Sequence, residues 1–192
     1  PKSIIQAPKF PIYRESQDKM YIPRYFGVQK YGEPKTLKIN EGSNIDLIFN
    51  GDLRDYQKII VDTYMKSIQE NKGGGLLEVP CGRGKTICAL SIISKLKKKT
   101  LVIVHKGFLL NQWIERIEQF LPGARIGRIQ GQVVDIENKD IVIGMLQSLS
   151  MKDYTYETFS DFGLTIVDEV HHIAAEVFVR SLFKIVTPCV LG

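Results

Sequence analysis

The chain has 192 residues, 44% hydrophobic and 24% charged, and its 26 Lys and Arg exceed its 21 Asp and Glu for a net charge of +5. That balance excludes wholesale disorder and leaves room for one full α/β core with an appendage. No apolar run reaches the roughly 20 residues of a membrane span, the opening residues do not read as a signal peptide, and three cysteines (Cys81, Cys88, Cys189) make no disulfide scaffold. An intracellular protein, nuclear or cytoplasmic and without a membrane partner, is therefore expected, and the mild basic excess admits nucleic acid as a partner.

Residues 1–50 are expected to form a small, mostly β appendage. Pro1, Pro8, Pro11, Pro23 and Pro34 crowd its first 34 positions, and proline at that density blocks long helices. Eight Lys or Arg against five Asp or Glu are interleaved there with Phe10, Tyr13, Tyr21, Tyr25, Phe26 and Tyr31. Such interleaving serves either stacking on a single strand or packing against the rest of the protein. Residues 37–40 and 45–49 alternate around Glu41-Gly42-Ser43-Asn44, a β-hairpin pattern.

From residue 51 to 192 the pattern becomes strand, helix, strand, helix. A helical stripe of Tyr56, Ile59, Ile60, Tyr64 and Ile68 comes first. Short apolar runs at 76–79, 101–104, 141–143 and 164–167 fit strands buried on both faces. Helical stretches over 85–97, 108–121 and 173–186 separate them, the second with an apolar face of Leu109, Trp113, Ile117, Phe120 and Leu121. Trp113 on that stripe reads as a core residue. Lys97-Lys98-Lys99 reads as a solvated helix end. Alternation of this kind implies a parallel sheet flanked by helices.

The strongest chemical signal is Pro80-Cys81-Gly82-Arg83-Gly84-Lys85-Thr86, after a strand and before a helix. Gly82 and Gly84 let backbone N–H groups close on phosphate, and the helix N-terminus adds a positive dipole end. Lys85 supplies a cation for the β- and γ-phosphates of ATP, and the Thr86 hydroxyl can ligate Mg²⁺. Val79 stands where the usual pattern has its first glycine, so a glycine-rich turn with a chance Gly-Lys-Thr is the alternative. The second signal is Asp168-Glu169 at the end of an apolar run. In a nucleotide site Asp168 would hold Mg²⁺ through water and Glu169 would polarise the attacking water; the alternative is a helix cap at Asp168. Zinc is disfavoured, because His171 and His172 do not form a His-Glu-x-x-His pattern with these carboxylates.

Together with Asp168-Glu169-Val170-His171 and Leu53-Arg54-Asp55-Tyr56-Gln57, the phosphate loop resembles the first RecA-like lobe of superfamily 2 helicases. A proline opening the loop is usual in that superfamily. Gln130-Gly131, the Arg83-containing loop and Tyr21-Ile22-Pro23-Arg24-Tyr25-Phe26-Gly27 lean toward its xeroderma-pigmentosum-B-like and large-DNA-virus branch. The resemblance implies a RecA-like fold with ATP and Mg²⁺ as ligands. Arg54, Gln57, Gly82, Arg83, Gly84, Lys85 and Thr86 would bind nucleotide, with Gln57 reading the adenine edge. Lys85 and Glu169 would be catalytic, Thr86 and Asp168 would hold the metal, and His171 would couple the site to its neighbouring motif. His105-Lys106-Gly107 and Gln147-Ser148 would contact nucleic acid. The chain stops at Cys189-Val190-Leu191-Gly192, which resembles the strand before the coupling motif. A second RecA-like lobe and its arginine fingers are therefore expected outside these residues, and the chain alone is expected to hydrolyse little ATP. The implied function is the ATP-binding part of a DNA helicase or translocase, with DNA favoured over RNA. A P-loop ATPase remodelling RNA or protein, and a nucleic-acid-binding module with a vestigial nucleotide site, are the alternatives.

Overall fold

The computed structural model describes residues 11–70, 73–80, 82–170 and 182–192. The chain divides into two compact units, Pro1–Leu37 and Lys38–Gly192. In the first, β1 (Arg14–Glu15) and β2 (Met20–Tyr21) form an antiparallel hairpin. Helix α1 (Arg24–Tyr31) begins directly after Pro23 and ends at Gly32 with a left-handed φ of 83°. A proline just before a helix loses no helical hydrogen bond, so the density of prolines still admits these two turns.

The second unit is built on a seven-stranded sheet. Its strands are β3 (Gly74–Gly75), β4 (Thr100–Val104), β5 (Ile126–Gln130), β6 (Val133–Asp135), β7 (Ile141–Met145), β8 (Leu164–Val167) and β9 (Cys189–Leu191). They lie in the order β3-β9-β8-β4-β7-β5-β6, all neighbours parallel except the antiparallel β5–β6 hairpin. Between them run α2 (Asp55–Gln69), α3 (Lys85–Leu96), α4 (Gly107–Phe120) and α5 (Leu146–Met151). The central strands bury both faces. Val102, Val104, Ile141, Ile143, Leu164 and Ile166 join one core with α2, α3 and α4, while Leu101, Ile103, Val142 and Val167 join a second core. Period-2 alternation inside a wholly apolar run is what a sheet covered on both sides requires. Among the described residues no helix is long and apolar enough to cross a membrane.

Three expectations are corrected. The hairpin over residues 37–49 does not form. Ile45 and Leu47 do alternate inward, but they pack into the core of the second unit. Their backbone is held by Ile45 N donating to Lys97 O at 3.0 Å and by Ser94 Oγ donating to Leu47 O at 2.9 Å. Gly42 approaches so closely that a Cβ there would fall on the Gly163 backbone. The apolar half of the pattern found a larger surface than a partner strand offers. The run 76–79 is likewise no buried strand: the paired residues are Gly74 and Gly75, and Leu76 is 72% exposed. Here β3 has β9 as its sheet neighbour and occupies the edge. Lys99, expected in solvent, is 6% exposed. Its Nζ donates to Ile136 O at 2.9 Å and lies 4.9 Å from the centre of the Phe162 ring, so hydrogen bonding and cation–π contact replace water. The helix expected over 173–186 lies largely outside the described residues.

One ion pair ties β5 to β7 at the start of both strands. Arg125 donates to Asp140 from its backbone N (2.8 Å), Nε (3.0 Å) and Nη2 (2.6 Å). Burial pushes the Asp140 carboxyl up, but the hydrogen bonds and charge of Arg125 outweigh it and hold the group below the usual carboxylate range. A depressed native pKa stabilises the fold above the unfolded-state pKa and loses that stabilisation as pH falls through the native one. Asp140→Asn should therefore lower the urea midpoint at neutral pH. The deficit should shrink on acidification through the Asp140 titration, as parallel melts of both proteins would measure.

Candidate nucleotide site

The phosphate-loop residues are placed by a turn that only glycine makes cheaply. Gly82 and Gly84 have φ of 75° and 80°, a region costing L-residues roughly 1–2 kcal/mol. Gly84 caps α3, so Lys85 and Thr86 are its first two helical residues, and Cys88 N closes the first turn onto Gly84 O at 3.1 Å. The loop is held from behind by α2. The Arg83 carbonyl accepts from Tyr56 Oη at 2.9 Å and from Gln57 Nε2 at 3.1 Å. Gln57 Oε1 accepts from Arg54 N at 2.9 Å, and the Arg54 guanidinium donates to Tyr56 Oη at 3.3 Å. Gln57 is thus 3% exposed, satisfied at both ends of its amide, and buried with Val61 and Tyr64. Of the stripe read from the sequence, Ile59 instead faces outward. Periodicity found the helix and misassigned part of its inner face, because a polar residue there holds the loop.

The acidic pair arrives from the sheet. Asp168 follows β8, and its N–H donates to Ile103 O at 3.0 Å, carrying the β4–β8 pairing one residue past the strand. Glu169 then takes a left-handed φ of 53°. Its Oε1 lies 3.5 Å from Lys85 Nζ, each side chain about 30% exposed, so motifs 84 residues apart in the chain meet here. The Asp168 carboxylate accepts the indole N–H of Trp113 at 2.9 Å on Oδ2. Sequence reasoning placed Trp113 in the core and missed this bond; a tryptophan is a lone donor that needs a partner when buried, which was the available signal. Cys81, His171 and His172 lie outside the described residues.

The residues expected to contact nucleic acid follow β4 and β7: His105 and Lys106 on the loop into α4, Gly107 at the start of α4, and Gln147 and Ser148 in the first turn of α5. Lys106 and Gly107 are exposed and His105 is half-buried. Gln147 Nε2 donates to His105 O at 2.8 Å, joining the start of α5 to the loop after β4. The Ser148 hydroxyl accepts from Gly131 N at 2.9 Å and so holds the β5–β6 turn. Thr86, second residue of α3, offers a hydroxyl and Asp168, after β8, a carboxylate, each an oxygen ligand of the kind Mg²⁺ takes alongside phosphates.

Comparison with known proteins fits this geometry. The family described as Type III restriction enzyme, res subunit, matches residues 50–192. The chain belongs to this family. A protein of Acanthamoeba polyphaga mimivirus, named for an ATP-dependent RNA helicase, is 40% identical over 185 residues, which are 95% of this chain and 35% of that protein. A Halobacterium salinarum protein named for a DNA 3'-5' helicase is 33% identical over 153 residues, 78% of this chain and 24% of that one. The chain thus spans about a third or less of the length of these relatives. The fold matches the Sulfolobus solfataricus SWI2/SNF2 ATPase core solved with dsDNA, with a TM-score of 0.64 and 19% identity over 80% of this chain and 33% of that one. This res-subunit chain has the fold of a first RecA-like lobe of superfamily 2 helicases.

Gly84 offers a test of the loop's construction. A Cβ at this position would strike the Gln57 amide nitrogen as well as strain φ. Gly84→Ala should cost about 1–2 kcal/mol of stability and displace the Arg83 carbonyl from Gln57. Calorimetric titration with an ATP analogue should show affinity falling at least as much as thermal stability does.

Proposed function

We propose that residues 38–192 form the ATP-binding lobe of a nucleic-acid-dependent motor that hydrolyses ATP with Mg²⁺. The observation that carries this reading is the meeting of Lys85 and Glu169 at 3.5 Å, between a glycine-rich helix N-terminus and the end of a buried strand. The two opposite charges offset each other at this distance. On binding ATP, Lys85 would turn to phosphate and leave Glu169 to accept the proton of an attacking water. Thr86 and Asp168 would hold Mg²⁺, which supplies charge neutralisation for the transferring phosphoryl group. Backbone N–H groups after Gly82 and Gly84 would bind phosphate oxygens, aided by the α3 dipole. Gln57, its amide engaged with Arg54 and Arg83, would make any adenine contact through its remaining N–H and lone pair.

The strand is read as DNA. The archaeal relative's name and the DNA complex of the SWI2/SNF2 core support that choice, whereas the name of the mimivirus relative favours RNA. His105, Lys106, Gly107 and Gln147 follow the C-terminal ends of β4 and β7, the usual ligand edge of parallel sheets. Small and polar groups there suit phosphate-backbone contact, which positions a strand and carries no base sequence.

Lys85→Ala should weaken nucleotide binding by about 10–100-fold, the worth of a charge-assisted hydrogen bond. Glu169→Gln in the longest expressible form of the protein should keep binding and lose about 10²–10⁴ in turnover. Equal loss of binding in both would refute these roles. ATPase rates with single-stranded DNA, duplex DNA, RNA and no nucleic acid identify the strand; stimulation by RNA alone would overturn the DNA assignment.

A further inference from the structure

The interaction between Trp113 and Asp168 goes beyond the roles given so far. Trp113 lies in the middle of α4, 3% exposed, with Leu110 and Ile117 buried on the same face. Packing alone would account for a large apolar side chain at this position. It does not account for the partner of the indole N–H. Asp168 is half-buried at the end of a buried strand, where a carboxylate oxygen gains from a fixed donor, and here one oxygen, Oδ2, accepts a hydrogen bond from the indole N–H at 2.9 Å. The Asp168 backbone is fixed as well, by its N–H on Ile103 O. Main chain and side chain of one residue are thereby pinned from the same neighbouring β4–α4 unit, since α4 follows β4 after two residues.

We propose that Trp113 is a positioning residue for the metal site: its indole N–H fixes Oδ2 of Asp168 and so holds the orientation of the carboxylate that would bind Mg²⁺. The inference rests on the nucleotide-site reading above and deepens it. Ligating carboxylates in proteins are themselves hydrogen-bonded, and loss of such an outer partner typically costs about 10–100-fold in metal affinity. An indole suits the task because it donates once, in one direction, from a rigid ring that packing holds in place. Phenylalanine would keep most of that packing and delete the donor.

The chain offers its own reporter, because Trp113 is its single tryptophan. A non-hydrolysable ATP analogue added to the 192-residue chain with Mg²⁺ should shift tryptophan emission, as the cation draws charge from the carboxylate that the indole faces. The same analogue with EDTA should leave emission nearly unchanged. In calorimetric titrations, Trp113→Phe should keep the metal-free affinity for the analogue and need about 10-fold or more Mg²⁺ to reach the metal-dependent affinity. Ile117→Val, one turn along α4, loosens the same core without touching Asp168 and should keep the wild-type Mg²⁺ requirement. An unchanged Mg²⁺ requirement in Trp113→Phe, or an equal change in Ile117→Val, overturns the proposal and leaves the nucleotide site standing. If Trp113→Phe does not fold, the wild-type emission decides: metal-dependent binding with no emission change overturns it too. A wild-type chain that binds the analogue equally with and without Mg²⁺ removes the metal site itself, and the role of Trp113 with it.

Discussion

The parallel pairing of β4 with β8 governs the site, because both strands run wholly buried and neither can slide. Leu101 and Ile103 face one core and Val102 and Val104 the other, so a shift of one residue would exchange the two faces against different neighbours. With register fixed, the loops that follow the two strands emerge side by side. One carries His105 and Lys106 and leads into α4, the other carries Asp168 and Glu169. The bond from Asp168 N to Ile103 O extends the ladder into the loop. The carboxylates are thus held to the sheet by backbone geometry, whatever their charge.

The phosphate loop has a different support. Its strand is short and at the sheet edge, so sheet pairing holds it less firmly than β4 or β8. Helix α2 makes up the difference. Tyr56 and Gln57 converge on one carbonyl, that of Arg83, while Tyr64 Oη reaches Val190 O at 3.0 Å and anchors the helix to β9. A glutamine on the inner face of a helix is costly unless fully bonded. Here both ends of its amide are bonded, and the burial of a polar group is balanced by the order it imposes on the loop.

Local turns and residue placement were more legible than long-range contacts. Glycine spacing, a lysine and hydroxyl at a helix start, and paired acids after an apolar run are local patterns with local causes, and each could be read from neighbours in sequence. The β5–β6 hairpin also carries a local signal: Gly131, with φ of 57°, and Gln132 form a tight two-residue turn between the paired Gln130 and Val133. Lys99 was read as part of a solvated run because charge clusters usually are. Its burial depends on Ile136 and Phe162, residues 37 and 63 positions away, which no local pattern reveals.

What the sequence by itself determined is the alternation of buried strands and amphipathic helices, together with the residue types on the loops between them. Apolar runs of four or five residues must find cover on both faces, and glycines with positive φ must turn where they stand. Strand order, and therefore proximity, was decided only in the tertiary structure. The meeting of Lys85 with Glu169 and of Trp113 with Asp168 joins residues 84 and 55 positions apart. The segment 45–49 shows the same division. Its alternation fixes which side chains seek burial, but many apolar surfaces could receive them. Only packing against α3, with Ser94 supplying the hydrogen bonds that a partner strand would have given, selected one.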